Sequence, residues 1–65
     1  MTRKDYLALS SALAVNKPNV TLNPQGYAVW LKTVHSVADV LAYDNGRFQR
    51  QRFLEACGVG RANDQ

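Results

Sequence analysis

The clearest pattern in the sequence is an apolar stripe of helical period in the middle of the chain. Asn23 is a favourable N-cap, and Pro24 suits the first position of a helix. The apolar residues that follow recur three and four positions apart: Tyr27, Trp30, Leu31, Val34, Val37, Ala38 and Leu41. This spacing predicts a helix over residues 24–43 with one face in a core.

The opposite side of this helix is also partly apolar. It carries Val29, Val40 and Tyr43 beside Thr33 and Ser36. Helices that are apolar around most of their circumference are usually buried on two sides. Two arrangements would bury this one: a central position among the other helices, or an interface with another chain. Val29, Val40 and Tyr43 are therefore the candidate residues for a partner interface.

A shorter helix is predicted on the N-terminal side. Thr2 and Asp5 have the spacing of a capping box, and apolar residues at helical intervals follow them. The helix should end near residue 15, because Pro18 disfavours helical geometry at the residue before it. These signals predict a helix over residues 3–15 and a loop over residues 16–23.

A third helix is predicted after the turn signal Asn45-Gly46. Phe48 and Phe53 have the spacing of a hydrophobic staple around Gln49 as N-cap. Gly58 is a typical C-terminal stop. We therefore expect a helix over residues 49–57, followed by a frayed tail over residues 59–65.

These elements predict one all-α domain over residues 1–65, a three-helix fold with a long central helix. A chain of 65 residues buries only roughly 60% of its unfolded surface, so it often needs further stabilisation. Cys57 is the only cysteine and His35 the only histidine, which excludes an internal disulfide and the common metal sites. We therefore expect no cofactor, and assembly as a homodimer.

The composition also bears on location. The hydrophobic fraction is 46%, typical of a globular chain, and no apolar run has the length of a membrane span. The N-terminus lacks the apolar segment of a signal peptide. An unpaired thiol without an export signal suits a reducing compartment, so we expect a cytoplasmic protein that does not bind a membrane.

The net charge of +3 is concentrated near the C-terminus, where residues 46–61 hold four arginines against one glutamate. Arg47, Arg50 and Arg52 are the candidate site for nucleic acid or another anion. Simpler interpretations compete: the arginine stems could cover the neighbouring phenylalanines, or the guanidinium groups could pair with Asp44 or Glu55. Arg52 could also pair with Asp39 or Asp44 of the preceding helix.

The sequence offers little for catalysis. His35 and Asp39 lie four apart, as an exposed pair on a helix would. Cys57 has the position of a small core residue, and Trp30 that of a core aromatic. A helix-turn-helix interpretation is weak, because the last helix is only about two turns long. We expect no enzymatic activity, no catalytic residue and no small-molecule substrate.

Three segments resemble very short, uncharacterised proteins encoded by phages, prophages and plasmids: "TRKDY", "WLKTVHSVADVLA" and "DNGRFQRQRFLEACG". Those proteins often have proline at the position of Gly46 and aspartate at that of Gln49. The resemblance implies a mobile-element origin and a bacterial host cell, and it brings no activity or site residues.

Taken together, these observations predict a small interaction module that binds and modulates another protein, with apolar contacts from the middle helix and charged contacts from the arginines. The alternative is a small regulator that binds DNA or RNA through the same arginines.

Overall fold

The computed structural model describes residues 2–60, and within that range it contains three α-helices and no strand. Helix α1 spans Arg3–Val15, α2 spans Pro24–Asp44 and α3 spans Arg50–Cys57. The predicted all-α, three-helix fold is confirmed. Each helix boundary lies within one residue of the boundary expected from the sequence.

The helices begin where their capping residues allow. At α1, the Asp5 N–H donates to the Thr2 hydroxyl at 3.4 Å, and the Thr2 N–H donates to the Asp5 carboxylate at 3.0 Å. At α2, the Asn23 side chain accepts the Gly26 N–H at 3.0 Å. Helix α3 begins after Gln49, which makes no side-chain capping bond. The start of α3 therefore depends on packing more than on a cap.

The end of α3 is a left-handed turn at Gly58. Its φ is 97°, a conformation that residues with a Cβ rarely adopt. The Val59 N–H donates to the Leu54 carbonyl at 3.0 Å, the pairing of a Schellman motif. Val59, which the sequence assigned to the frayed tail, packs against the core. The rest of the predicted tail, residues 61–65, lies outside the described residues.

The core forms where α3 packs against both α1 and α2. Its buried apolar members come from α2 and α3: Trp30, Val34, Ala38, Leu41, Phe53, Leu54 and Cys57. Helix α1 adds half-buried side chains at Tyr6, Leu9 and Leu13. The short helix α3 therefore supplies a large share of the core and fixes the other two helices relative to each other.

One polar junction joins all three helices. The indole N–H of Trp30 donates to the Leu13 carbonyl at 2.8 Å, near the C-terminal end of α1. The Lys17 ammonium lies 5.9 Å from the centre of the Trp30 ring and donates to the Gly58 carbonyl at 2.7 Å, just past α3. Carbonyls at helix ends need such donors, and a cation there also suits the helix dipole.

The second apolar side of α2 is not covered by the other residues of the range 2–60. Val29 is 67% exposed, Val40 66% and Tyr43 95%. The arrangement in which α1 and α3 bury α2 on two sides is therefore wrong for residues 2–60. Within the described residues, no helix combines the length and apolar character needed to cross a membrane.

Two glycine substitutions test the helix ending at Gly58. Gly58→Ala should lower the free energy of unfolding by about 1–2 kcal/mol, because alanine is strained at positive φ. Gly46→Ala is the matched control, since Gly46 lacks a positive φ and has no neighbour within 4 Å of an added Cβ. It should be neutral or raise stability by about 0.4–1 kcal/mol.

Urea denaturation followed by circular dichroism, at one protein concentration, measures both variants. Equal effects of the two substitutions would contradict the left-handed helix end.

A basic groove as the candidate functional site

A groove of about 350 Å³ lies between α1 and α3. We call it the basic groove. Its lining comes from the first two turns of α1, from the connection between α2 and α3, and from α3. Its lining residues are Arg3, Tyr6, Leu7, Ser10, Asn45, Arg47, Phe48, Gln49, Arg52, Phe53 and Ala56.

Asn45 anchors the part of the groove lining that comes from the connection between α2 and α3. Its side-chain amide donates to the Tyr6 hydroxyl at 3.1 Å, so it ties the connection to α1. Its side-chain oxygen accepts the Arg47 N–H at 2.9 Å, and its backbone carbonyl accepts the Phe48 N–H at 3.0 Å. These local bonds are typical of asparagine in turns. They hold Arg47 and Phe48 in place beside the groove.

The floor of the groove is aromatic. The ring centres of Tyr6 and Phe48 are 5.6 Å apart, and those of Phe48 and Phe53 are also 5.6 Å apart. Tilted pairs at this distance are favourable aromatic contacts. The Phe48–Phe53 contact is the hydrophobic staple expected from the sequence, and it orients the first turn of α3. Tyr6 and Phe48 are half-buried, so each still presents part of its ring to the groove.

Three arginines surround this floor: Arg3 from α1, Arg47 from the connection and Arg52 from α3. All three are exposed, and the groove lining includes no Asp or Glu. None of the three pairs with a carboxylate of residues 2–60. Guanidinium groups bind carboxylate and phosphate through paired hydrogen bonds. The groove can therefore hold an anionic group next to an apolar one.

The structure separates Arg50 from the other two arginines of the predicted cluster. The Arg50 guanidinium donates to the Asp39 carboxylate at 2.8 Å and to the His35 carbonyl at 3.3 Å, both on α2. The expected ion pair to Asp39 therefore exists, but Arg50 makes it instead of Arg52. Arg50 and Arg52 are two positions apart, about 200° around a helix, so they face opposite sides of α3.

Sequence reasoning missed Arg3, because it lies far from the other arginines along the chain. A signal was present, since Arg3 shares one face of α1 with Tyr6, Leu7 and Ser10 at helical spacing. What the sequence could not supply is that this face meets α3. In the structure, Arg3 lines the groove together with Arg47 and Arg52, while Arg50 lies apart from them on Asp39. Arg3, Arg47 and Arg52 are therefore the candidate anion-binding residues of the groove.

Two other candidate residues of the sequence are part of the core. Cys57 and Trp30 are buried in the core, as expected from their spacing. Burial raises the pKa of the Cys57 thiol by desolvating its thiolate. Among the described residues, no group of three or more His, Cys, Asp and Glu side chains could hold a metal ion.

Comparison with protein-family models, with curated proteins and with solved structures found no match to this chain. The resemblance to phage and plasmid proteins therefore stays a prediction. The assignment of function depends on the groove and on the exposed face of α2.

The different positions of Arg50 and Arg52 predict different effects on stability. Both are in the first turn of α3, where a cation opposes the helix dipole by about 0.3–1 kcal/mol. Among the described residues, Arg50 has an ion pair that offsets this cost and Arg52 has none. Arg50→Gln should therefore be less stable than Arg52→Gln by about 0.5 kcal/mol, a small difference because the ion pair is exposed.

Denaturation curves measured side by side for the two variants give this difference. Our assignment of the two side chains is wrong if Arg52→Gln is the less stable variant.

Burial of Cys57 predicts slow thiol chemistry. A thiol-reactive dye should label the folded protein slowly and the urea-unfolded protein fast, because both access and thiolate formation are restricted in the core. Since the folded pKa lies above the unfolded value, the thiol's contribution to stability is fully present while the thiol is neutral in both states. This contribution should decline at alkaline pH, where the unfolded thiol ionises first.

Cys57→Ala is the control for the pH effect, because it removes this titration while the tyrosines and lysines remain. Fast labelling of the folded chain at neutral pH would contradict the buried position of Cys57.

Proposed function

We propose that the protein is a non-enzymatic interaction module of phage or mobile-element origin that binds and modulates another protein, with an acidic segment of that protein seated in the basic groove. The observation that supports this proposal is the composition of the groove: three arginines without a carboxylate, around an aromatic floor. Unpaired like charges in one groove disfavour folding, so their placement is better explained by an anionic partner than by stability.

The groove suits a peptide that combines acidic and apolar side chains. Carboxylates would accept paired hydrogen bonds from Arg47 and Arg52, while one apolar side chain lies on Phe48 and Tyr6. Such buried aromatic and arginine contacts carry most of the energy in many protein interfaces. Leu7 extends the apolar surface at the rim, since it is exposed although it is a large hydrophobic residue.

The number of charges favours a protein over nucleic acid. Proteins that bind nucleic acid at physiological salt often neutralise 6–10 phosphates, and each contact adds about 0.7–0.9 to the salt slope. Three arginines would give a slope of only about −2 to −3 and weak binding near physiological salt. An apolar floor, by contrast, contributes binding energy that salt does not screen.

Binding to DNA or RNA is the second candidate, and one observation favours it. The arginines lie beside half-exposed aromatic rings, the combination on which single-stranded bases stack. In this case the bases would stack on Tyr6 or Phe48, and the phosphates would contact the arginines.

Fluorescence anisotropy with two labelled probes tests the proposal: a short peptide with several glutamates around one phenylalanine, and a single-stranded oligonucleotide. The groove variant replaces Arg3, Arg47 and Arg52 with glutamine. The control variant replaces Lys4, Lys32 and Arg50 with glutamine, so it loses the same formal charge outside the groove lining. We expect the groove variant to bind the peptide at least about tenfold more weakly.

The control variant should keep most of the peptide affinity, because screened charges elsewhere act only weakly. Equal losses in both variants would mean that binding is non-specific attraction to net charge, which contradicts the proposal. Tighter binding of the oligonucleotide than of the peptide near physiological salt, lost in the groove variant, would establish the second candidate instead.

A further inference from the structure

The exposed side of α2 has the residue spacing of a coiled-coil seam. We call it the outer stripe. Its members alternate three and four positions apart: Gly26, Val29, Thr33, Ser36, Val40 and Tyr43. That alternation is the a/d pattern of a heptad repeat, with d at Val29 and a at Val40. It keeps one narrow line of residues on a single side of the helix over about 26 Å.

We infer that the outer stripe is covered by a second copy of this chain, with the two α2 helices antiparallel. In an antiparallel pair, residues at a positions face residues at d positions of the partner. Val29 then faces the partner's Val40, and by symmetry Val40 faces the partner's Val29. The two hydroxyl residues between them face each other, and Tyr43 faces the partner's Gly26. The Asn23 side chain, which caps α2, lies beside Gly26, so Tyr43 meets that glycine together with the cap.

The charges beside the stripe select this orientation. Lys32 and Asp39 occupy the g positions, both on one flank. In the antiparallel pair, g faces g, so Lys32 faces the partner's Asp39 and the contact occurs twice. A parallel pair would instead place g against e, with Asp39 facing the partner's Asp44. Attraction in one orientation and repulsion in the other make the antiparallel pair the favoured one.

The contact between Lys32 and Asp39 can form between two subunits but not within one chain. Lys32 and Asp39 are seven residues apart on α2, about 10 Å along the axis, so they do not pair with each other. Asp39 already accepts a bond from Arg50, but its side chain remains 70% exposed and can accept a second donor. The inference is independent of what the basic groove binds, because none of the outer stripe residues lines that groove.

Sedimentation equilibrium over a wide range of protein concentration tests for the pair. Wild type should shift with concentration from the mass of one chain to the mass of two. Val40→Asp should stay monomeric with its helical circular dichroism retained, since Val40 is exposed in the single chain. Val15→Asp is the matched control: Val15 is 82% exposed on α1, and its replacement should leave the dimer unchanged.

Charge exchange tests the orientation. Lys32→Glu and Asp39→Lys should each raise the dissociation constant about tenfold, because each substitution changes two symmetry-related contacts. The double variant Lys32→Glu/Asp39→Lys should recover most of the wild-type affinity. Circular dichroism of each variant controls for the loss of the Arg50 contact.

Three results would overturn the inference. A wild-type protein that is monomeric at every concentration has no such pair. A dimer that persists in Val40→Asp uses another surface. Tighter association of Asp39→Lys would indicate the parallel pair, in which the repulsion between Asp39 and the partner's Asp44 is removed.

Discussion

The junction of Trp30 and Lys17 is the constraint on which the arrangement of the three helices depends. Trp30 donates to the end of α1 at Leu13, and Lys17 donates to the end of α3 at Gly58 while it lies near the Trp30 ring. None of the three helices is expected to be stable alone in water, because each is short or depends on burying an apolar face. The junction satisfies two carbonyls at helix ends and sets how α1 and α3 meet, and their meeting creates the basic groove.

One side of α2 packs in the core. Two surfaces remain outside it, the outer stripe and the basic groove. The outer stripe of α2 has apolar residues that the core does not need. The basic groove has charges that the fold does not need, including Arg52 in the first turn of a helix with no side-chain cap. Both surfaces hold residues that do not favour the stability of the fold, and such residues are expected at binding sites.

Local signals in the sequence were sufficient for the fold and insufficient for the site. The capping box at Thr2, the cap at Asn23 and the stop at Gly58 act over a few residues, so the helices could be predicted closely. The partner of Arg50 depends on how α3 is rotated against α2. The order of residues in the sequence placed Arg50 in one cluster with Arg52. Residues two positions apart on a helix, however, face away from each other. Arg3 joined the site only through tertiary packing.

The anionic site is tested most directly by NMR of the arginine side-chain Nε–H signals during titration with the acidic peptide. We expect the signals of Arg3, Arg47 and Arg52 to shift together with one dissociation constant, while that of Arg50 stays in place on Asp39. Shifts confined to Arg50, or the same small shift at every arginine, would contradict a defined anionic site between α1 and α3.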